Sequence, residues 1–274
     1  MPKGCKNGGF GIWYYCYLAD GGMVTPRKAC WATSLGGCGG GISGEHVLSK
    51  GLWDGRSVQI SGSPWTRGEP RSIGLKGLKS NILCRRHNSQ LSPVDAQGIR
   101  AFRGIRDIDN WLAASRRRFT GRQSTLDMKG HLLERWFLKS AINLFVVASQ
   151  RKQWPGGQEP RDPPAELVRA AFGQAVLKYP NGLYNWAGLK VGEQVELKSE
   201  IAFVPLYRGT LFVGAQFTFH GLNFLVWFCD SQLPWEDLRA FYRHMGGELE
   251  DAGNQGRLTV SWPDGWRRNR SNVS

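Results

Sequence analysis

Residues 79–90 (Lys-Ser-Asn-Ile-Leu-Cys-Arg-Arg-His-Asn-Ser-Gln) are dense in side chains that can do chemistry. Cys84 and His87 are separated by two residues, a spacing at which one turn of chain supplies two ligands to a tetrahedral zinc ion. A helix is predicted to follow, because apolar residues then recur at near-helical intervals. These residues are Leu91, Val94, Ile99 and Phe102. The stretch therefore indicates half of a structural zinc site at the start of a helix.

The other half of the zinc site is predicted at Cys30 and Cys38, in a segment that also contains five glycines. The seven residues between these cysteines exceed the spacing of an ordinary zinc knuckle, and Cys5 and Cys16 are alternative ligands. A second interpretation is that all of them are ordinary reduced cysteines in a glycine-rich loop. Disulfides are less favoured, because the chain shows no secretory signal and a cytosolic protein keeps its thiols reduced.

Two segments, 44–48 (Gly-Glu-His-Val-Leu) and 80–88 (Ser-Asn-Ile-Leu-Cys-Arg-Arg-His-Asn), together resemble the HNH nuclease motif. That motif has an acid-His pair on a strand, a middle Asn before a Leu-Cys step, and a His or Asn on the following helix. The resemblance implies a ββα-metal unit braced by a treble-clef-like zinc site over residues 28–105. It does not extend to the rest of the chain.

The resemblance also implies a role for each polar residue of the motif. His46 would be the general base, since a neutral imidazole near pH 7 can take a proton from water. Glu45 and the Asn88 carboxamide oxygen would bind a catalytic Mg²⁺ or Mn²⁺, which prefer oxygen ligands. Asn81 would brace the loop that carries His46 without touching substrate.

Three features distinguish this chain from the family pattern. Glu45 stands where the family more often has Asp, and Asn88 stands where the name of the motif implies His. The distance along the chain from His46 to Asn81 is long, so residues 53–71 are interpreted as an insertion or an extended hairpin.

The overall charge favours a nucleic-acid partner. Thirty-six Lys and Arg against 22 Asp and Glu give a net charge of +14 and an isoelectric point near 9.8. Such a balance is typical of proteins that bind the phosphate backbone, and many of the basic residues flank the motif. The predicted nucleic-acid-binding residues are Arg71, Lys76, Lys79, Arg85, Arg86, Arg103, Arg116, Arg117 and Arg118.

The sequence pattern predicts an α+β protein with two domains. A zinc-stapled HNH-like domain is expected over residues 1–110, a basic linker over 111–126, and a C-terminal domain of helices and antiparallel sheet over 127–274. Within the last, helices are expected at 128–150, 164–177 and 234–245, and strands at 195–198, 201–207, 211–219, 222–228 and 258–262. This domain would supply specificity, a homodimer interface or a surface for a protein partner.

A soluble, cytoplasmic protein is predicted, because no segment approaches the roughly 20 apolar residues that cross a bilayer and the start lacks a signal-peptide pattern. The predicted function is a metal-dependent endonuclease that cuts DNA in preference to RNA and carries structural zinc. Two alternatives stay open: a non-catalytic zinc-stapled nucleic-acid-binding protein, and an adaptor whose C-terminal sheet binds another protein.

Overall fold

The computed structural model describes residues 30–55, 57–61, 71–115, 123–150, 162–186, 201–208, 211–219, 222–229, 242–243, 246–251, 254–264 and 266. The helices are α1 (Arg85–Gln90), α2 (Ser92–Ser115), α3 (Gly130–Gln150) and α4 (Ala165–Ala171). The strands are β1 (Ile42–His46), β2 (Ser57–Ser61), β3 (Arg71–Gly74), β4 (Lys79–Cys84), β5 (Gln123–Lys129), β6 (Gly182–Trp186), β7 (Ile201–Arg208), β8 (Leu211–Phe219), β9 (Leu222–Trp227), β10 (Gly246–Asp251) and β11 (Asn254–Ser261). None of these helices is long and apolar enough to span a membrane.

A β-hairpin followed by a helix forms the part of the fold that contains the sequence motif. β1 and β4 pair antiparallel, with Ile42 opposite Cys84 and His46 opposite Lys79, and the register shifts between Ser43 and Glu45. α1 begins directly after β4 and contacts both strands. The start of α1 therefore lies beside the start of β1, at the opposite end of the strand pair from His46.

Two long helices, α2 and α3, pack against each other behind this unit. Their close approach depends on Gly98 of α2, where a Cβ atom would lie 2.4 Å from the indole ring of Trp136 on α3. The helix predicted over 128–150 is confirmed as α3. The helix predicted over 164–177 ends at Ala171 instead, because Gly173 takes a left-handed φ of 74° and its N–H bonds to the carbonyl of Ala170.

Apart from the β1–β4 pair, the described strands form one large sheet and one small sheet. The large sheet has the order β3-β2-β7-β8-β9-β6 and is antiparallel except for the β2–β7 pair. The small sheet has the order β10-β11-β5, with β11 and β5 parallel. The strands predicted at 201–207, 211–219 and 222–228 are confirmed as β7, β8 and β9, and the α+β class with antiparallel sheets is confirmed. The segment 53–71 contains β2 and leads into β3, which pair as an extended hairpin.

One hydrophobic cluster runs through the whole of the described chain. Its members extend from Cys30 in the zinc-ligand segment, through Trp136 on α3, to Val260 on β11. β2 from the N-terminal half pairs with β7 from the C-terminal half, and α2 continues to Ser115. The boundary predicted at 111–126 therefore does not coincide with a break in the core.

Several predicted features lie outside the described residues. These are Cys5, Cys16, Arg116, Arg117, Arg118, the strand at 195–198 and nearly all of the helix at 234–245.

Candidate zinc centre and acid-histidine site

Four side chains with metal-binding atoms converge at the base of the β1–β4 hairpin. Cys30, Cys38, Cys84 and His87 place their ligand atoms within 4.8 Å of one another. The Nδ1 atom of His87 lies 3.3 Å from the Sγ atoms of Cys30 and Cys84 and 3.7 Å from that of Cys38. Zn–S bonds of about 2.3 Å and Zn–N bonds of about 2.0 Å in a tetrahedron separate S and N by about 3.5 Å. The cluster therefore fits a zinc ion.

Local backbone structure holds these ligands in place. Cys84 ends β4 and caps α1, its Sγ accepting from the backbone N–H of His87 at 3.5 Å. The glycine-rich loop docks on the same helix end, where Arg85 N donates to Gly41 O and Arg86 N donates to Gly39 O. Four loop glycines have left-handed φ values between 63° and 74°, which other residues rarely adopt. They are Gly36, Gly37, Gly40 and Gly41, and they explain how Cys38 folds back to the site despite its unusual spacing from Cys30.

The protonation state of the cysteine thiols in the cluster depends on whether a metal ion is bound. Burial raises the pKa of Cys30 to about 12, so this thiol ionises near neutral pH only when a metal ion stabilises the thiolate. Burial raises the pKa of Cys84 as well, but hydrogen bonds from the backbone of His87 and Gly39 and from the thiols of Cys30 and Cys38 together outweigh it, and the net pKa is lowered. Burial lowers the pKa of His87, which keeps its imidazole neutral and able to bind metal. The three described cysteines of the cluster are free thiols.

The acid-histidine pair lies at the end of β1, beside α1. Glu45 is buried at 4% exposure and His46 is half-buried. Asn88 on α1 reaches across to β1, where its Nδ2 donates to Ser43 Oγ at 3.2 Å and its side chain hydrogen-bonds Glu45. The fold thus brings two of the residues that the motif resemblance selects, Glu45 and Asn88, into contact.

Lys139 on α3 is a partner of Glu45 that sequence reasoning missed. Its Nζ lies 2.5 Å from Glu45 Oε1 and 2.7 Å from both carboxylate oxygens of Asp95, and the side chain is 1% exposed. Burial raises the pKa of Glu45, and Lys139 opposes this by favouring the ionised form. The sequence does contain one indication of this partner: Lys139 follows Trp136 by three residues and so lies on the same inward face of α3.

His46 lies among basic side chains. Burial lowers its pKa first, and the positive charges of Lys79 and Lys50 lower it further. Lys79 is opposite His46 in the hairpin register, and Lys50 follows β1 in the 3₁₀ turn Lys50–Leu52. Lys50 was not among the predicted binding residues, although it stands only four residues after His46.

Asn81 lies on β4 beside Gly44, two residues before His46. Asn81 is exposed on β4, with its Oδ1 3.9 Å from where a Cβ of Gly44 would be. The carbonyl of Val47, the residue after His46, accepts a hydrogen bond from Asn143 Nδ2 on α3 at 3.3 Å. Helix α3 therefore provides one hydrogen bond to the backbone that follows His46.

The predicted basic residues that the structure describes are all exposed. They are Arg71, Lys76, Lys79, Arg85, Arg86 and Arg103. Arg86 packs against Gly37, where a Cβ would be 3.2 Å from its Nη1, and Arg85 packs against Gly40. Arg103 shares Asp54 with Arg106, so part of its charge is balanced.

Comparison with known proteins adds no relative to this description. No protein-family model, curated protein or solved structure matches the chain. The fold and site define an α+β protein with a candidate Cys₃His metal centre beside a hairpin-helix unit, and its chemistry has to be inferred from its own side chains.

Proposed function

We propose that this protein is a zinc-stapled endonuclease of HNH type that hydrolyses phosphodiester bonds, with DNA rather than RNA as its substrate. The observation that supports the proposal is the β1–β4–α1 unit, in which Asn88 on α1 hydrogen-bonds Glu45, the neighbour of His46, beside the Cys₃His cluster. The order of the motif residues along the chain and this contact between α1 and β1 both favour the same chemistry.

His46 is the proposed general base. Its lowered pKa keeps the imidazole neutral near pH 7, so it can accept a proton from the attacking water. Lys50 and Lys79 are exposed next to it and offer positive charge to a phosphate group. Since general-base catalysis typically contributes about 10²- to 10⁴-fold, loss of this side chain should be measurable.

A divalent cation is proposed at Glu45 and Asn88. Both residues offer oxygen donors, which suit Mg²⁺ or Mn²⁺. Glu45 and Asp95 share the single ammonium of Lys139. Burial raises the pKa of Glu45, and a divalent cation bound to it would favour its ionised form. The bound ion would supply Lewis-acid stabilisation of the negative charge that develops on the phosphate.

Zinc at the Cys₃His cluster has a structural role in this proposal. Four protein ligands complete a tetrahedron and leave no open position for substrate, as in structural zinc sites. The ion would fix α1, and with it Asn88, against the glycine-rich loop. Reduced thiols are needed for this, which is one reason to place the protein in the cytoplasm.

The exposed basic residues around the motif are the proposed contacts with the nucleic-acid backbone. Lys79, Arg85 and Arg86 lie on the hairpin-helix unit itself, and the net charge of the chain is +14. Binding through phosphate contacts should weaken steeply as the salt concentration rises.

Plasmid cleavage in the presence of Mg²⁺ or Mn²⁺ tests the proposal. We expect wild-type protein to cut and His46→Ala to lose about 100-fold or more in rate while retaining one zinc per chain. His131→Ala is the matched control, because His131 is half-buried on α3 and contacts Trp266 instead of the site. Equal cleavage by His46→Ala and wild type would show that His46 is not the base.

A non-catalytic zinc-stapled nucleic-acid-binding protein is the second candidate. The observation that favours it is the Lys139–Glu45 ion pair, which already occupies one oxygen of a proposed metal ligand. If this alternative is correct, neither the wild type nor His46→Ala cuts DNA. Both proteins then bind DNA with the same affinity and the same salt dependence. Mobility-shift assays on the same two proteins distinguish the candidates.

A further inference from the structure

Three side chains on one face of α3 bond to the five-residue segment 45–49 that contains His46. They are Trp136, Lys139 and Asn143, whose spacing of three and then four residues aligns them along the helix. Trp136 Nε1 donates to Ser49 Oγ at 2.8 Å, and Lys139 Nζ lies 2.5 Å from Glu45 Oε1. Asn143 Nδ2 donates to the carbonyl of Val47 at 3.3 Å.

Asn143 has the most direct connection to His46, because it bonds to the backbone of the next residue. It is fully buried, at 0% exposure, and both ends of its amide are used. Its Oδ1 accepts from Trp31 Nε1 at 2.9 Å, and Trp31 follows the zinc ligand Cys30 directly. The Asn143 side chain therefore connects Trp31, next to the candidate zinc ligand Cys30, to Val47, next to the proposed general base His46.

The backbone of Val47 is fixed on both sides. Its N–H donates to the carbonyl of Leu78 at 3.0 Å, and its carbonyl has the Asn143 contact. Without Asn143, the buried carbonyl would lose that donor and the segment could rotate about the remaining bond. Misplacement of a catalytic group by about 1 Å can cost roughly 100-fold in rate.

We infer that Asn143 is a positioning residue that holds His46 in place through the Val47 carbonyl, with Lys139 and Trp136 securing the two ends of the same segment. The inference rests on the proposed nuclease function for its catalytic consequence. It assigns to α3 the bracing of the His46 segment that the motif resemblance assigns to Asn81.

Steady-state cleavage kinetics of Asn143→Ala and Asn143→Asp test the inference. We expect kcat to fall by about 10- to 100-fold with KM within about twofold of wild type and zinc retained. Asn143→Asp keeps the acceptor for Trp31 but replaces the donor to Val47, so an equal loss in both variants would trace the effect to the lost N–H group. Ser140→Ala is the control, since Ser140 is fully buried on the same helix and its Oγ has no hydrogen-bond partner among the described residues.

Hydrogen exchange read by mass spectrometry separates positioning from a general loss of stability. In the Asn143 variants we expect faster exchange in peptides that cover 45–52 and unchanged exchange in β8 and β9. Faster exchange throughout the chain, or an unchanged kcat, would overturn the inference.

If wild-type protein does not cut DNA, the proposed function fails and the catalytic part of the inference fails with it. Hydrogen exchange in residues 45–52 of the Asn143 variants would then test only whether Asn143 holds this segment in place.

Discussion

At the residue scale, the environment of His46 determines the pH dependence of the proposed reaction. Burial, then Lys79 and Lys50, hold its pKa below the ordinary value of 6.5. A base acts in its neutral form, so kcat should be full above this lowered pKa and should decline as the pH falls through it. The half-point of the acid limb is therefore expected below pH 6.5.

The Lys79→Ala variant tests this origin of the pH profile. Removal of one neighbouring positive charge should move the pKa of His46 toward its ordinary value, and the acid limb of kcat should shift to higher pH. Lys76→Ala is the control, because Lys76 is also exposed and lies three residues earlier, whereas the positive charges that lower the pKa of His46 are those of Lys79, Lys50 and Lys139. An acid limb that stays in the same place in Lys79→Ala would contradict the prediction.

At the element scale, we expect the proposed zinc ion to keep α1 docked on the glycine-rich loop. Cys84 both caps α1 and supplies a ligand, so Cys84→Ser should lose the metal and about 4 kcal/mol or more of the free energy of unfolding. Zinc content by mass spectrometry and urea unfolding measure the two effects. Cys229→Ser is the matched control, since Cys229 is a half-buried cysteine outside the cluster. A Cys84→Ser protein with one tightly bound zinc would contradict the proposed ligand set.

Also at the element scale, α3 connects most parts of the fold through buried polar groups. Its side chains reach the His46 segment through Lys139 and Asn143 and reach the far end of the chain through Glu134. Isolated buried polar groups are costly, but each of these three is paired. The helix thereby fixes the orientation of elements that an apolar interface alone would leave less specific.

At the scale of the whole molecule, the Glu134–Arg243 pair joins distant parts of the chain. Arg243 donates from Nε and Nη2 to the two Glu134 oxygens, each at 2.8 Å, and Glu134 also accepts from the N–H of Leu183 on β6 at 2.9 Å. Arg243 donates further to the carbonyls of Leu177 and Trp266. The pair is buried on both sides and bidentate, the geometry in which an ion pair is most specific.

Glu134→Gln should therefore destabilise the protein by about 3–5 kcal/mol, because it leaves the buried Arg243 charge without its partner. Glu166→Gln is the control: Glu166 is exposed and pairs with Arg169 three residues away, where about 0–1 kcal/mol is expected. Urea unfolding of the two variants measures the difference. Equal free energies of unfolding would show that Glu134 does not carry the structural role described.

Local sequence patterns were enough to predict several features. These are the candidate zinc ligands, the order of the acid-histidine motif, the α+β class, the helix α3 and the strands β7, β8 and β9. These features depend on spacings of a few residues, which periodicity and ligand geometry govern directly. The metal-binding spacing of Cys84 and His87 is an example, since one turn of chain contains it.

The residues that support the site could be identified only from contacts in the folded chain. Lys139 and Asn143 lie 94 and 96 residues after their partners Glu45 and Val47, and nothing in the local pattern of an inward-facing helix relates them. The same holds for β2, which joins the sheet of the C-terminal half, and for the hydrophobic cluster whose described members lie on both sides of the predicted boundary. Such contacts depend on how the whole chain closes around its core, and local spacing carries no information about that closure.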